Sequence, residues 1–440
     1  MWKALQMTCF NKISRNTLEV LILLTAFLLV NLIGQIFQKP ISLNKGRGWD
    51  GIVYYSVAEQ FLKGQQPRAG APFVYRIGTP FLVSLFFKED LLLGFKVVNL
   101  IANGITVFLL LLWLRLNLLT WEVRVILVLL FITQWHGPVR FVYFYPVYVD
   151  PWIFVFLLAG LIGIHKVILK PNLRTLGFLG LICWVGVLFR EAMMVIPVAL
   201  LFATNPIQYK RGLCSKWSDL RITSLIKIPP PVFLVPGVFA ISGFLGVRRI
   251  VTQINDYSFL ETALYWAYQK PFLAYLHGWF VTFGPLIFIP LYNWRRVLSY
   301  LMDRQFLLVY LVGFAILAWI GGSDTERILY WALPVVYLLM GKSMEEHKEL
   351  LVSPGLVTVL VGSQLISQRV FWTLPDLPNP FVSSLPILTV PGNKFPYMDL
   401  WSYHGERIVE FVSLLQYTFL GVLLLGWFHY RASLIKTPSV

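Results

Sequence analysis

Long apolar stretches separated by short polar or basic connectors run from residue 18 to residue 427 of this chain. A bilayer crossing needs roughly 20 predominantly apolar residues. On that measure, spans are predicted near 18–37, 96–114, 123–135, 151–168, 175–189, 192–203, 230–245, 275–292, 306–320, 328–340, 351–366 and 408–427. The expected fold is therefore all-α: a polytopic integral membrane protein, one transmembrane domain over 1–440, with about twelve transmembrane helices and further interfacial helices outside the cytoplasm. No repeat relates the two halves.

Two segments decide the topology. The stretch 73–87 is apolar but short, carries Arg76 and Pro80, and runs into Lys88-Glu89-Asp90; this predicts a helix lying at the surface rather than a span. It makes 38–95 the first extracytoplasmic loop. Within that loop Tyr54, Val57, Ala58 and Phe61 recur at helical spacing, with Ser56, Glu59 and Gln60 between them, as in an amphipathic helix on the bilayer. A similar pattern recurs at 257–268, its aromatics suited to headgroup depth. The second segment, 175–203, is interrupted by Arg190-Glu191. Neighbouring helical positions do not face each other, so one long tilted helix would bury two charges separately. Two shorter helices turning at the surface are expected instead.

Composition supports this class. Of 440 residues 57% are hydrophobic and 13% charged, and mean hydropathy is +0.69, more apolar surface than one water-facing globule hides. The formal charge of +16 is spread between apolar runs, where it sets orientation and meets lipid phosphates; nucleic acid is excluded as a partner. Cys9, Cys183 and Cys214 are too scattered for a disulfide framework or a zinc motif, and the histidines lack metalloprotease spacing. Lys3, Lys12 and Arg15 precede a first stretch with no cleavage site, so a retained anchor and a cytoplasmic N-terminus are expected, with the C-terminus on the same side. Many basic residues nonetheless fall on the opposite face, Arg76, Arg140, Arg190, Arg248, Arg249, Lys270 and Arg327 among them. Such a surplus against the positive-inside trend suits a face that binds something anionic.

Under this topology Asp50, Arg76, Asp150, Arg190, Glu191, Asp324 and Arg327 collect at the extracytoplasmic ends of apolar segments. An ionisable residue at such a place faces water, a partner or a substrate. Each also has a plain structural alternative. Asp150-Pro151 has the form of a helix cap with proline at the first helical position, and Ser323 to Glu326 that of a capping box. Arg190-Glu191 can mark a surface turn, Arg76 can anchor by snorkelling, and Asp50-Gly51 makes ordinary turns. A proline-rich loop, 369–407, with Pro375, Pro378, Pro380, Pro386, Pro391 and Pro396, is expected to pack over the same face as a lid or acceptor site.

Trp49-Asp50-Gly51 with Tyr54-Tyr55 and Ala58-Glu59, then Phe73-Val74-Tyr75-Arg76 with Thr79-Pro80, Val149-Asp150-Pro151, Phe189-Arg190-Glu191 and Asp324-Thr325-Glu326-Arg327 with Pro334, resemble in kind and order the GT-C superfamily of polytopic glycosyltransferases. The first loop is most similar to that of PIG-V type mannosyltransferases. The Tyr75-Arg76 segment departs from that type, and no paired acidic signature is present. The resemblance implies a polyprenyl-phosphate-linked sugar as donor, a glycan, lipid or protein acceptor, membrane lipids around the site and an active face outside the cytoplasm. It implies Asp50 as catalytic base. Arginine forks suit phosphate oxygens, which makes Arg76, Arg190 and Arg327 candidates for the leaving group. Asp150 and Asp324 would orient sugar hydroxyls or the arginines, or bind a divalent metal, and Glu191 beside Arg190 would join the substrate-binding set; a divalent metal is the one cofactor left open. The competing expectations are a transporter or flippase of a lipid-linked or anionic solute, and a non-catalytic membrane scaffold.

Overall fold

The computed structural model describes residues 14–134, 137–203, 231–322, 324–348, 354–368, 383–384, 389–390 and 407–436. The protein is an all-α, polytopic integral membrane protein. Helix α1 (Arg15–Phe37) begins at Ser14, whose side chain accepts the Thr17 N–H at 3.2 Å and satisfies one orphan donor of the helix start. Almost none of its apolar length is covered by the rest of the chain, so it faces lipid. Of its two buried residues, Leu23 and Glu19, only Glu19 carries a charge. Fully buried, its carboxylate receives Arg115 Nη2 at 2.6 Å and Arg124 Nε at 2.7 Å, so two cations offset a charge in the first span.

The first loop folds onto the bundle. Helix α2 (Gly51–Leu62) buries Tyr54, Val57 and Ala58 of the helical stripe, but against other segments of the protein. A 3-10 turn, Phe73–Tyr75, leads to the nine-residue α3 (Gly78–Phe86), too short to cross. The strand β1 (Arg68–Ala69) pairs in parallel with β2 (Thr252–Gln253), and Asn255 Oδ1 accepts the Ala71 N–H at 2.6 Å. These bonds tie the loop to a segment some 180 residues away in sequence.

Helix α4 (Leu91–Leu116) is capped by Asp90, which accepts the Leu93 N–H at 2.9 Å. Next come α5 (Trp121–Thr133), α6 (Pro138–Phe144) and α7 (Asp150–Leu169). Helix α8 (Leu173–Phe189) starts in a capping box of Asn172 and Thr175. The chain then leaves helical geometry at Arg190 (φ −164°, ψ 137°) and resumes as a 3-10 turn, Glu191–Met194, and α9 (Val195–Leu201). Two helices meet at the charged pair, as expected, but not at the surface: Arg190 is only 4% exposed. The charge is sheltered because the Asp150 carboxylate from another segment reaches it.

Helix α10 (Val235–Ile250) precedes α11 (Phe259–Gln269), which is capped by Ser258 and leaves Leu260, Leu264, Tyr265 and Tyr268 exposed, a face suited to the bilayer interface. Helix α12 (Phe272–Phe283) turns by 100° at Gly284 into the 3-10 turn Pro285–Ile287 and α13 (Phe288–Tyr292). Gly284 has φ +67°, and a Cβ there would lie 2.5 Å from Gln364 Oε1, so glycine is required. Helix α14 (Trp294–Asp303) bends by 113° into α15 (Gln305–Ile320). The apolar run near 328–340 divides into α16 (Thr325–Tyr330) and α17 (Leu333–Glu346). Helix α17 is buried from Leu333 to Met344 and occupies the centre of the bundle, with Trp113 Nε1 donating to Pro334 O at 2.9 Å. Helices α18 (Pro354–Ser367) and α19 (Arg407–Lys436) end the described chain.

Among the described residues, five segments are long and apolar enough to cross a membrane, or up to seven if each bent pair is one span, against about twelve expected. Of the proline-rich loop, only the antiparallel pair β3 (Ser383–Ser384) and β4 (Thr389–Val390) and the start of α19 are described. Its prolines lie outside the described residues, as do Ser323, Cys9 and Cys214 and the basic residues between 204 and 230.

Candidate functional site

A cavity of about 940 Å³ opens where the first loop, the α8–α9 break, the end of α10, and α11, α15 and α16 meet. Asp50, Arg76, Arg190, Glu191, Asp324 and Arg327 all line it. Asp150 lies behind this wall with no exposed surface. Seven residues drawn from five separate stretches of sequence thus occupy one neighbourhood.

None of the three aspartates serves as a helix cap. Asp50 and Asp324 stand at the cap positions of α2 and α16, yet neither side chain accepts a capping hydrogen bond. Asp150 is the first residue of α7, with Pro151 beside it, and it too makes no cap. The proline opens the helix as its position predicts, but the carboxylate turns to Arg190 Nη1, with which it is bonded, and to Arg327 Nε at 3.5 Å. The countercharge demanded by two buried guanidinium groups outweighs a capping bond worth about 1 kcal/mol.

Arg327 is the hub. Its Nη1 lies 2.9 Å from Asp324 Oδ2 and 3.7 Å from Asp50 Oδ2, while Nε faces Asp150. Beside it, the Arg190 guanidinium lies 4.3 Å from the centre of the Trp331 ring, a cation–π contact. Arg76 grips Glu191 through Nε at 3.1 Å and Nη2 at 2.5 Å, and Arg76 Nη1 donates to the Tyr54 hydroxyl at 2.8 Å. The Tyr145 hydroxyl accepts the Gly51 N–H at 2.6 Å, which fixes the backbone next to Asp50. At Gly48, where φ is +70°, a side chain would run into that same Tyr145 ring.

Burial alone would raise the Glu191 carboxyl, but the Arg76 fork and Arg190 hold it down to about 2. Burial would lower Arg76, and Glu191 and Tyr54 reverse this and raise it above its ordinary value. Arg327 behaves alike, raised by Asp324 and Asp50 against the effect of burial. Arg190 is pulled down to about 9 by burial and by the repulsion of Arg76 and Arg327, and stays charged at neutral pH. Four carboxylates (Asp50, Asp150, Glu191, Asp324) face three guanidinium groups (Arg76, Arg190, Arg327), so the cluster carries one net negative charge.

The rest of the wall is largely apolar, with Val195 and Val198 from α9, Val309, Gly313 and Leu317 from α15, and Phe259 and Trp266 from α11. Val198 and Phe259 are exposed. Two further features were not singled out from sequence. Arg248, at the end of α10, lines the cavity with its guanidinium 4.1 Å from the Phe244 ring and 4.8 Å from the Tyr75 ring; the surplus of basic residues on this face was its only signal. Tyr145 and Trp331 also line the cavity, beside Trp49 of the first-loop string, but among 16 tryptophans and 20 tyrosines nothing in the sequence marks these two. Among the described residues no group of three or more His, Cys, Asp or Glu side chains is placed to hold a metal ion; Asp50, Asp150 and Asp324 instead share Arg327. Compared with known proteins, the chain matches no family model and no curated protein.

Proposed function

We propose that this protein is a membrane glycosyltransferase that moves a sugar from a polyprenyl-phosphate donor to a hydroxyl acceptor on the non-cytoplasmic face. One observation carries the reading: three aspartates at helix starts leave those helices uncapped and turn instead to one arginine at the wall of an amphiphilic cavity. Groups held this way are preorganised for chemistry rather than for helix stability. Asp50 is the base. It lines the cavity, is 28% exposed, and holds Arg327 more loosely than Asp324 does, so it is the carboxylate free to approach a substrate. The acceptor oxygen attacks the anomeric carbon and Asp50 takes its proton. The bond from that carbon to the phosphate oxygen breaks, its electron pair leaves on the polyprenyl phosphate, and the configuration inverts. Asp50 then returns the proton to solvent.

In this scheme Asp150, Glu191 and Asp324 position the arginines, while Arg76, Arg190 and Arg327 order the pocket and offset charge developing on the leaving group. The shorter apolar helices supplement the five to seven candidate spans, towards the dozen crossings expected from sequence, with both termini in the cytoplasm. A transporter would use broken helices at its binding site. The breaks of the two bent pairs, at Gly284 and Arg304, do not line the cavity, but the α8–α9 break at Arg190 does, so the transporter stands as the second reading that the test must separate.

The test is to reconstitute the full chain in liposomes with a panel of polyprenyl-phosphate hexoses carrying labelled sugar. Release of polyprenyl phosphate with transfer of label to an acceptor, lost in Asp50→Asn, is the expected result. Protein-dependent movement of the intact donor across the bilayer with its sugar bond unbroken would replace the enzyme with the transporter.

A further inference from the structure

The net charge of the cluster poses a question of recognition. A ligand phosphate approaching Arg76, Arg190 and Arg327 meets guanidinium groups already matched by four carboxylates, with one negative charge in excess. That group can stabilise charge once a ligand is seated, but it does not attract an anion from a distance. Arg248 differs. It lines the same cavity, and among the described residues it makes no ion pair. Its guanidinium is flanked by the rings of Phe244 and Tyr75, which hold the fork's plane without using its N–H donors. Tyr75 is in turn fixed by a hydrogen bond to Gln253 and adjoins Arg76 in sequence.

The surroundings of Arg248 supply the other half of the ligand. Phe244, one turn earlier on α10, lines the cavity together with Val195 and Val198 of α9, and α9 and α10 pack against each other. Val198 is about half exposed at this wall. A cation beside an accessible apolar wall fits an amphiphile with an anionic head and a hydrocarbon tail.

Resting on the glycosyltransferase reading, we infer that Arg248 is the principal contact for the phosphate of a lipid-linked substrate, its tail running along α9 and α10, while the paired arginines act as positioning groups. Arg248 is thus a binding residue, and its substitution should act on affinity for the phosphate rather than on folding, because its side chain is exposed.

The experiment measures binding of labelled polyprenyl phosphate to the full chain in nanodiscs, for the wild type, Arg248→Ala, Arg248→Lys and Arg249→Ala, with inorganic phosphate and phosphate-free polyprenol as competitors. Loss of a charge-assisted fork should weaken binding about ten- to a hundredfold in Arg248→Ala. Arg248→Lys should be intermediate, because it keeps the charge without the fork. Arg249→Ala, which removes the same charge one residue away and outside the cavity lining, should bind as the wild type. Inorganic phosphate competing as well as the lipid would assign Arg248 to a free anion and overturn the lipid-phosphate assignment. Wild type and Arg248→Ala binding polyprenyl phosphate within twofold of each other would overturn the role of Arg248 while leaving the glycosyltransferase reading in place. A wild type that binds no polyprenyl phosphate would remove both.

Discussion

Replacing Asp50 by Asn keeps the shape of the side chain and removes the proton acceptor. The carboxylate is 28% exposed, makes no cap, and sits 3.7 Å from an Arg327 nitrogen whose nearer partner is Asp324 at 2.9 Å. A loose and partly solvated pair of this kind contributes about 0–1 kcal/mol. The melting midpoint in detergent should therefore fall by less than about 3 °C. Removing a general base costs about 10²–10⁴ in rate, or about 2.7–5.5 kcal/mol of barrier. The predicted variant is folded and inactive. Purified protein, sugar transfer from a polyprenyl-phosphate hexose and a thermal melt read both quantities on one sample. Transfer above about a tenth of the wild-type rate would show that Asp50 is not the base, and a large fall in the midpoint would show that it is a structural residue.

The other substitutions separate structure from chemistry. Asp150→Asn removes a fully buried carboxylate from between Arg190 and Arg327 and should destabilise by about 3–5 kcal/mol; a wild-type melting curve would contradict the ion-pair argument. Glu19→Ala should cost less, about 1–3 kcal/mol, because Arg115 is a third exposed, and adding Arg124→Ala should restore part of the loss in a double-mutant comparison. The Arg76–Glu191 pair predicts a pH dependence. Since the Glu191 carboxyl is held down to about 2, its stabilisation is complete above the ordinary glutamate value and is lost as pH falls through about 2. Melting midpoints between about pH 5 and 2 should show this acid limb in the wild type and a shallower one in Glu191→Gln; identical limbs would refute the assignment.

Patterning along the chain is enough to give the class of this protein. Long apolar runs require helices because only a helix satisfies its own backbone in lipid, and the stripe of Tyr54, Val57 and Ala58 named the buried face of α2. It also placed the charged residues at the ends of those runs, where a polar group is tolerated. What it left open was partnership. An aspartate before a helix has the same local pattern whether it caps that helix or reaches an arginine from elsewhere, as Asp90 and Asp150 show: the first caps α4, and the second, beside a helix-opening proline, turns away. Arg190-Glu191 looked like a surface turn because the carboxylate that shelters Arg190 lies 40 residues away and the arginine that holds Glu191 lies 115 away. Arg248 was one basic residue among many until the packing of α10 against the first loop set it between two rings at the cavity. Local sequence fixes the cost of placing a charge at a helix end, whereas only the tertiary fold decides which opposite charge, ring or open space meets it there.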